Sequence, residues 1–185
     1  MPNMRKSSPK TNYKDPTKPV VENLTYNDVE FAIKKLHNDM IDQNYIPDIV
    51  VSIDRGGAIV GGMLSKALSK TLTGISAAEK WTISSTTDSL DLAVRNMMNE
   101  RFELPLNNIL VVDDASRSGF TSDIAFRCLE DIKKQTSSTV EFKFAVILNQ
   151  IGLLGPAAHK RQPDFWVFET EMGNIAMPWD HVILE

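Results

Sequence analysis

Ile109-Leu110-Val111-Val112-Asp113-Asp114-Ala115-Ser116-Arg117-Ser118-Gly119-Phe120-Thr121 is the stretch whose reading decides the fold. Four β-favouring apolar residues end in two carboxylates and a small-residue loop with a glycine, and Thr121-Ser122-Asp123 then open an amphipathic run from Ile124 to Lys134. The pattern predicts a buried strand, a tight turn and a helix N-terminus, the geometry in which backbone N–H groups converge on an anion. Ser116, Ser118 and Thr121 add short-stemmed hydroxyls, and Gly119 lets the main chain approach a ligand closely. The acid pair would repel a bare phosphate, so Asp113 and Asp114 must face something cationic or rich in hydroxyls. A ribose diol, or a hydrated Mg²⁺ carried in with a polyphosphate, meets that need, which makes a sugar phosphate the natural guest. The competing reading is an ordinary strand-to-helix turn with a surface acid pair.

A second unit repeats the logic upstream. Asp48-Ile49-Val50-Val51-Ser52-Ile53-Asp54 leads through Arg55-Gly56-Gly57 into a helical run from Ala58 to Lys70, in which Ala58, Gly61 and Gly62 permit close helix–sheet packing. Arg55 is a fixed cation suited to a diphosphate, and the two glycines free backbone N–H groups for it. Taken alone, Gly56-Gly57 is equally well a tight turn.

Residues 109–121 resemble the thirteen-residue signature of the type I phosphoribosyltransferases, which bind phosphoribosyl pyrophosphate (PRPP). Arg55-Gly56-Gly57 is similar to the family's pyrophosphate loop, often preceded there by a non-proline cis peptide, here the Asp54–Arg55 bond. Gly173 to Asp180, ending in Pro178-Trp179-Asp180, looks like the hood of the xanthine-guanine branch. The resemblance implies an α/β fold, a central mostly parallel twisted sheet flanked by helices, with a small hood from about residue 165 to 185 and part of the N-terminal segment. It also implies catalytic roles for Asp113, Asp114 and Arg55, with the acids on the ribose hydroxyls and the shell of a Mg²⁺ ion that comes with PRPP. Ser116, Arg117, Ser118, Gly119, Phe120 and Thr121 would hold the 5′-phosphate, and Arg55, Gly56 and Gly57 the departing pyrophosphate. Asn149, Asn174 and Ile175 would line the base pocket, and Pro178-Trp179 would anchor the hood with the indole as packing area. Relatives are commonly dimers or tetramers, so a homodimer or homotetramer is expected.

Three departures stand beside the match. Arg117 replaces the Asp that handles the base N7 proton in purine enzymes, and a guanidinium is no general base. Asn149 replaces the Lys that donates to a purine 6-oxo group, and Asn174 stands where an aromatic residue stacks on the base. Orotate-type relatives use a loop cation instead of that Asp, and positioning with electrostatics needs no base if the acceptor is already ionised. Two functions therefore stay open: a Mg²⁺-dependent transferase acting on a purine-like nitrogen base, and a weak or inactive PRPP- or nucleotide-binding regulator on the same fold.

Composition bounds the rest. With 185 residues and 42% hydrophobic content the chain suits one α/β domain over residues 20–185. The single Cys128 excludes a disulfide framework and points to a reducing, cytoplasmic setting, and no apolar stretch nears the ~20 residues that span a bilayer. Residues 1–19 carry five basic residues against Asp15, and their Pro, Ser, Asn and Lys content reads as a disordered leader. The net charge of −4 then leaves an acidic body, which argues against nucleic-acid binding. No Gly-x-Gly-x-x-Gly or Walker lysine loop is present.

Along the chain, Thr25 to Asp28 reads as a capping box with Val29, Ile33, Leu36 and Met40 at helical spacing behind it, and His37 on the flank. Trp81 to Thr87 has strand character and Leu90 to Met98 reads as a short helix, in an interval where relatives carry a mobile loop. Lys80, Arg95 and Arg101 there are charges able to reach a phosphate. Val140 to Leu148 and Pro163 to Phe168 are the remaining strands.

Overall fold

The computed structural model describes residues 23–53, 55–75, 106–117, 119–136, 139–151, 161–171 and 176–181. Several expectations fall outside these residues: the basic leader, Asp54 and its peptide bond, the strand and helix between 81 and 98 with Lys80, Arg95 and Arg101, and Ser118, Asn174 and Ile175.

Helix α1 (Tyr26–Asp42) starts where the capping box places it. Thr25 Oγ1 accepts from Asp28 N at 3.3 Å and Asp28 Oδ2 accepts from Thr25 N at 2.8 Å, so two orphan donors of the first turn are satisfied reciprocally. Val29, Ala32, Ile33, Leu36 and Met40 form its buried stripe. Strand β1 (Ile49–Ile53) is buried along its whole length, and helix α2 (Gly56–Leu68) follows at once. Its start corrects the reading of Gly56-Gly57 as loop: both glycines belong to the first helical turn, with Arg55 as N-cap.

Strand β2 (Thr71–Ile75) was not anticipated, because Gly74 and the exposure of Thr71 and Leu72 weaken its pattern. Strand β3 (Asn108–Ser116) runs four residues beyond the apolar stretch, so Asp113 and Asp114 lie within the strand and not in the loop after it. Helix α3 (Phe120–Thr136), β4 (Glu141–Gln150) and β5 (Phe165–Thr170) complete the layers, and Pro178–His181 form a short 3₁₀ turn.

The described strands form one sheet in the order β2-β1-β3-β4-β5, every pairing parallel. Residues alternate between its faces with period two. Val50, Leu110, Val112, Ala145 and Ile147 pack with α1 and α2, while Ile49, Val51, Ile109, Val111, Phe144 and Val146 pack with Ala125, Phe126 and Leu129 of α3. Burial on both faces explains why the central strands read as unbroken apolar runs. From β1 the chain crosses over α2 to an outer neighbour on one side, and from β3 it crosses over α3 to a neighbour on the other. Right-handed crossovers in opposite directions put their helices on opposite faces, and open a crevice where the winding reverses, beyond the C-terminal ends of β1 and β3.

Candidate functional site

That crevice is where the two strand-to-helix corners meet. Strands β1 and β3 pair up to Ser52 opposite Val112, which brings the start of α2 alongside the acid pair. The approach is close: at Gly57 a side chain would meet backbone, and at Gly56 it would have to displace the Asp114 carboxyl. A Cβ on Gly56 would lie 1.9 Å from Asp114 Oδ2, and one on Gly57 would lie 2.7 Å from the Val112 carbonyl oxygen and 3.0 Å from Asp113 Cα. The two glycines therefore permit the close approach of the two corners.

On the other side of the acids a cavity of about 260 Å³ is lined by Asp113, Asp114, Ala115, Ser116, Arg117, Gly119 and Thr121, with Ser122 and Phe144. Gly119 has φ 73°, a left-handed turn that a side chain would strain, and its carbonyl accepts from Asp123 N and from the buried Ser122 Oγ, both at 2.9 Å. The loop is thereby folded back so that the first turn of α3 faces the cavity. Ser116 is buried, Thr121 half-buried and Arg117 exposed. Arg55 is exposed at the mouth of the first corner, and the side chain of Phe120 is not described.

Both carboxyls are half-buried and neither forms an ion pair among those found for the described residues. Burial pushes Asp113 well above the ordinary carboxylate range, the Asp114 charge adds to the rise, and the Asp114 N–H at 2.9 Å and the Arg117 charge oppose it. Asp114 is raised too, again by burial first, against the opposing hydrogen bond from Trp179. Two carboxylates held this close strain against their own charge, and a cation or a row of hydroxyl donors relieves it. No group of three or more His, Cys, Asp or Glu side chains able to hold a metal occurs among the described residues. The acid pair therefore fits a cation that takes most of its ligands from water and from a bound phosphate compound, as Mg²⁺ does.

Asn149, the last residue but one of β4, is buried and in register with Ser116 of β3 and Glu169 of β5. This buried polar row closes the C-terminal edge of the sheet, and Asn149 is not among the residues that line the cavity. Trp179 does more than was expected of it. Its indole is half-buried against the core as foreseen, but Nε1–H also donates to Asp114 Oδ2 at 3.2 Å. Pro178-Trp179 was the signal; its partner, 65 positions upstream, could not be read from the chain.

A family model for the phosphoribosyl transferase domain matches residues 21–181, and the chain belongs to that family. Its fold is shared with a purine phosphoribosyltransferase from Pyrococcus horikoshii, at TM-score 0.59 and 24% identity over 91% of this chain and 99% of that one. A xanthine-guanine-hypoxanthine phosphoribosyltransferase from Helicobacter pylori gives TM-score 0.63 at 18% identity, covering 86% and 93%. A hypothetical protein from Neisseria gonorrhoeae with bound ppGpp gives 0.58 at 18%, covering 91% and 93%. No curated protein sequence matches the chain significantly. No helix among the described residues is long and apolar enough to cross a membrane.

Proposed function

We propose that the chain is a phosphoribosyltransferase that takes PRPP with Mg²⁺ and transfers the phosphoribosyl group to a purine-like nitrogen base. The observation that carries this reading is the half-buried acid pair at the reversal of the sheet, flanked by the start of α2 on one side and the cavity under α3 on the other. Ser116, Arg117, Gly119 and Thr121 receive the 5′-phosphate, where the dipole and N–H groups of α3 favour an anion. Asp113 and Asp114 orient the ribose hydroxyls. Arg55 steadies the diphosphate as it departs, aided by the N-terminus of α2, which has no side-chain cap. Bound Mg²⁺ supplies charge neutralisation of the diphosphate. The acceptor nitrogen, entering as the already deprotonated base so that no proton has to be removed, attacks C1 of the sugar, the bond from C1 to the diphosphate oxygen breaks, and pyrophosphate leaves with the electron pair. The chain's part is to hold these groups in line and exclude water.

A second reading, a sensor of PRPP or a nucleotide, is favoured by two residues: Arg117, which cannot take a proton from a base, and Asn149, whose amide offers no cation. The gonococcal structure on this fold holds a nucleotide, ppGpp. Incubation with PRPP, Mg²⁺ and a panel of bases, following pyrophosphate release, separates the two. Release dependent on one base supports transfer; tight binding of PRPP, or of a nucleotide such as ppGpp, without turnover for any base supports the sensor; no PRPP binding defeats transfer, and no binding of either ligand defeats both.

A further inference from the structure

We infer that Trp179 is a positioning residue for the acid pair, fixing the Asp114 carboxylate so that the C-terminal segment sets how strongly the site takes a metal-bound sugar diphosphate; this rests on the sugar-phosphate reading above. The segment is firmly seated before it reaches the acid. Met177 is 1% exposed within the α1/α2 core, and the Ala176 carbonyl accepts from Leu24 N at 3.2 Å. Asp180 closes the turn, its Oδ2 accepting from Met177 N at 2.8 Å and its own N–H donating to the Met177 carbonyl at 3.0 Å. From that base the indole reaches Asp114 Oδ2 at 3.2 Å, the same oxygen that leaves no room for a Cβ on Gly56. One oxygen of Asp114 is thus pinned between α2 and the indole, and the Ala115 N–H and the Asp113 side chain also bond the carboxyl, so its orientation is fixed from several sides.

The chemistry of the donor matters as much as its position. An indole N–H donates only and carries no charge. A Lys or Arg at this place would orient Asp114 equally well but would neutralise it, and a neutralised carboxylate no longer attracts Mg²⁺. Trp179 supplies orientation while leaving the negative charge intact, and Asp180 next to it adds negative potential. Holding a ligating group in its bound geometry before the ligand arrives saves ordering cost on binding.

Trp179→Phe removes the N–H and keeps an aromatic ring for the packing. By calorimetry its affinity for Mg²⁺·PRPP is expected to fall about tenfold, the scale of one lost hydrogen bond to a charged group. Its affinity for ribose 5-phosphate without metal, which the loop at 115–121 receives, should stay within about twofold on the same scale. Unchanged Mg²⁺·PRPP affinity overturns the inference, and so does an equal loss for both ligands, which marks a structural role only. A second measurement covers the case in which the wild type binds no PRPP and the sugar-phosphate reading itself fails. In ¹⁵N-labelled protein the Trp179 indole N–H resonance, assigned by its absence in Trp179→Phe, should move in Asp114→Ala; an unmoved resonance sinks the contact whatever the ligand.

Discussion

The two corners of the sheet look alike in sequence and differ in what they are built to do. Each is a β-branched run that breaks through glycine into a helix. At the β1–α2 corner the glycines are consumed by packing, with helix and strand so close that a methyl group would strike Asp114 or the backbone of β3. At the β3–α3 corner the polar groups turn toward a cavity, and the glycine sits at a left-handed turn. One corner is a wall and the other a cradle. The acid pair lies between them and belongs to both.

The largest effects are expected at the wall. Ala at position 57 gains up to about 1 kcal/mol of helix propensity, yet it must displace backbone at 2.7 Å, and overpacking of this kind costs about 1–3 kcal/mol. Gly57→Ala should therefore unfold at lower urea concentration than wild type. Gly56→Ala meets a side chain that can rotate away, so its stability loss should be smaller, while displaced Asp114 should abolish Mg²⁺·PRPP binding in calorimetry. A Gly57→Ala protein more stable than wild type would break the distinction between wall and cradle.

Next comes the acid that both corners share. Asp113 has a raised folded-state pKa, so its stabilising contribution is full below the ordinary carboxylate pKa and is lost as pH rises through the folded value. At neutral pH it is therefore a cost to the unliganded protein. Asp113→Asn keeps an oxygen acceptor for the Asp114 N–H. It should raise stability at pH 7 by about 0.5–2 kcal/mol, the usual size of a relieved local fault, with the gain vanishing near pH 4. Mg²⁺·PRPP binding should be lost together with that gain. A variant destabilised at pH 7 would show that the acid is already satisfied without ligand.

What the sequence made legible was whatever depends on local period and local chemistry. The apolar runs at Ile49–Ile53 and Ile109–Val112, the stripe Val29-Ile33-Leu36-Met40 and the capping box at Thr25 all signal through near neighbours, and each was found. The site's glycines, acids and hydroxyls were legible as residues because few loops concentrate them. Their mutual arrangement was only partly so. That β1 and β3 are adjacent, which brings Gly56 onto Asp114, is a property of strand order and not of either segment. Trp179 was recognised as an anchor, but its hydrogen bond is a contact across most of the chain and leaves no local trace. Strand β2 escaped because an exposed edge with Gly74 lacks the alternation that burial imposes.

Helix α1 offers a control on the cradle. Thr25 and Asp28 occupy two of its N-terminal donors, whereas α2 has no side-chain cap. Thr25→Ala should cost about 1 kcal/mol in urea unfolding and leave ligand affinity untouched. The Thr25 hydrogen bonds hold the Asp28 carboxyl below its ordinary range. Its contribution is accordingly present above the unfolded carboxylate pKa and lost as pH falls through the folded one, the opposite sense to Asp113. The gap between wild type and Thr25→Ala should therefore narrow in acid, and a gap that widened there would refute the capping account.

The smallest effect is expected at Arg117, and it bears most directly on whether the cradle holds an anion. The side chain is exposed, so its charge acts through solvent, and an exposed pair is worth about 0.2–1 kcal/mol. Arg117→Ala should weaken ribose 5-phosphate binding by no more than about fivefold, and the loss should shrink as salt rises, because screening at 0.15 M is already felt beyond about 8 Å. A loss of two orders of magnitude that ignored salt would mean that Arg117 folds inward onto the phosphate as a direct ligand. No loss at all would leave the backbone of the loop and the start of α3 as the whole of the anion site, with the guanidinium serving only to temper the charge on Asp113.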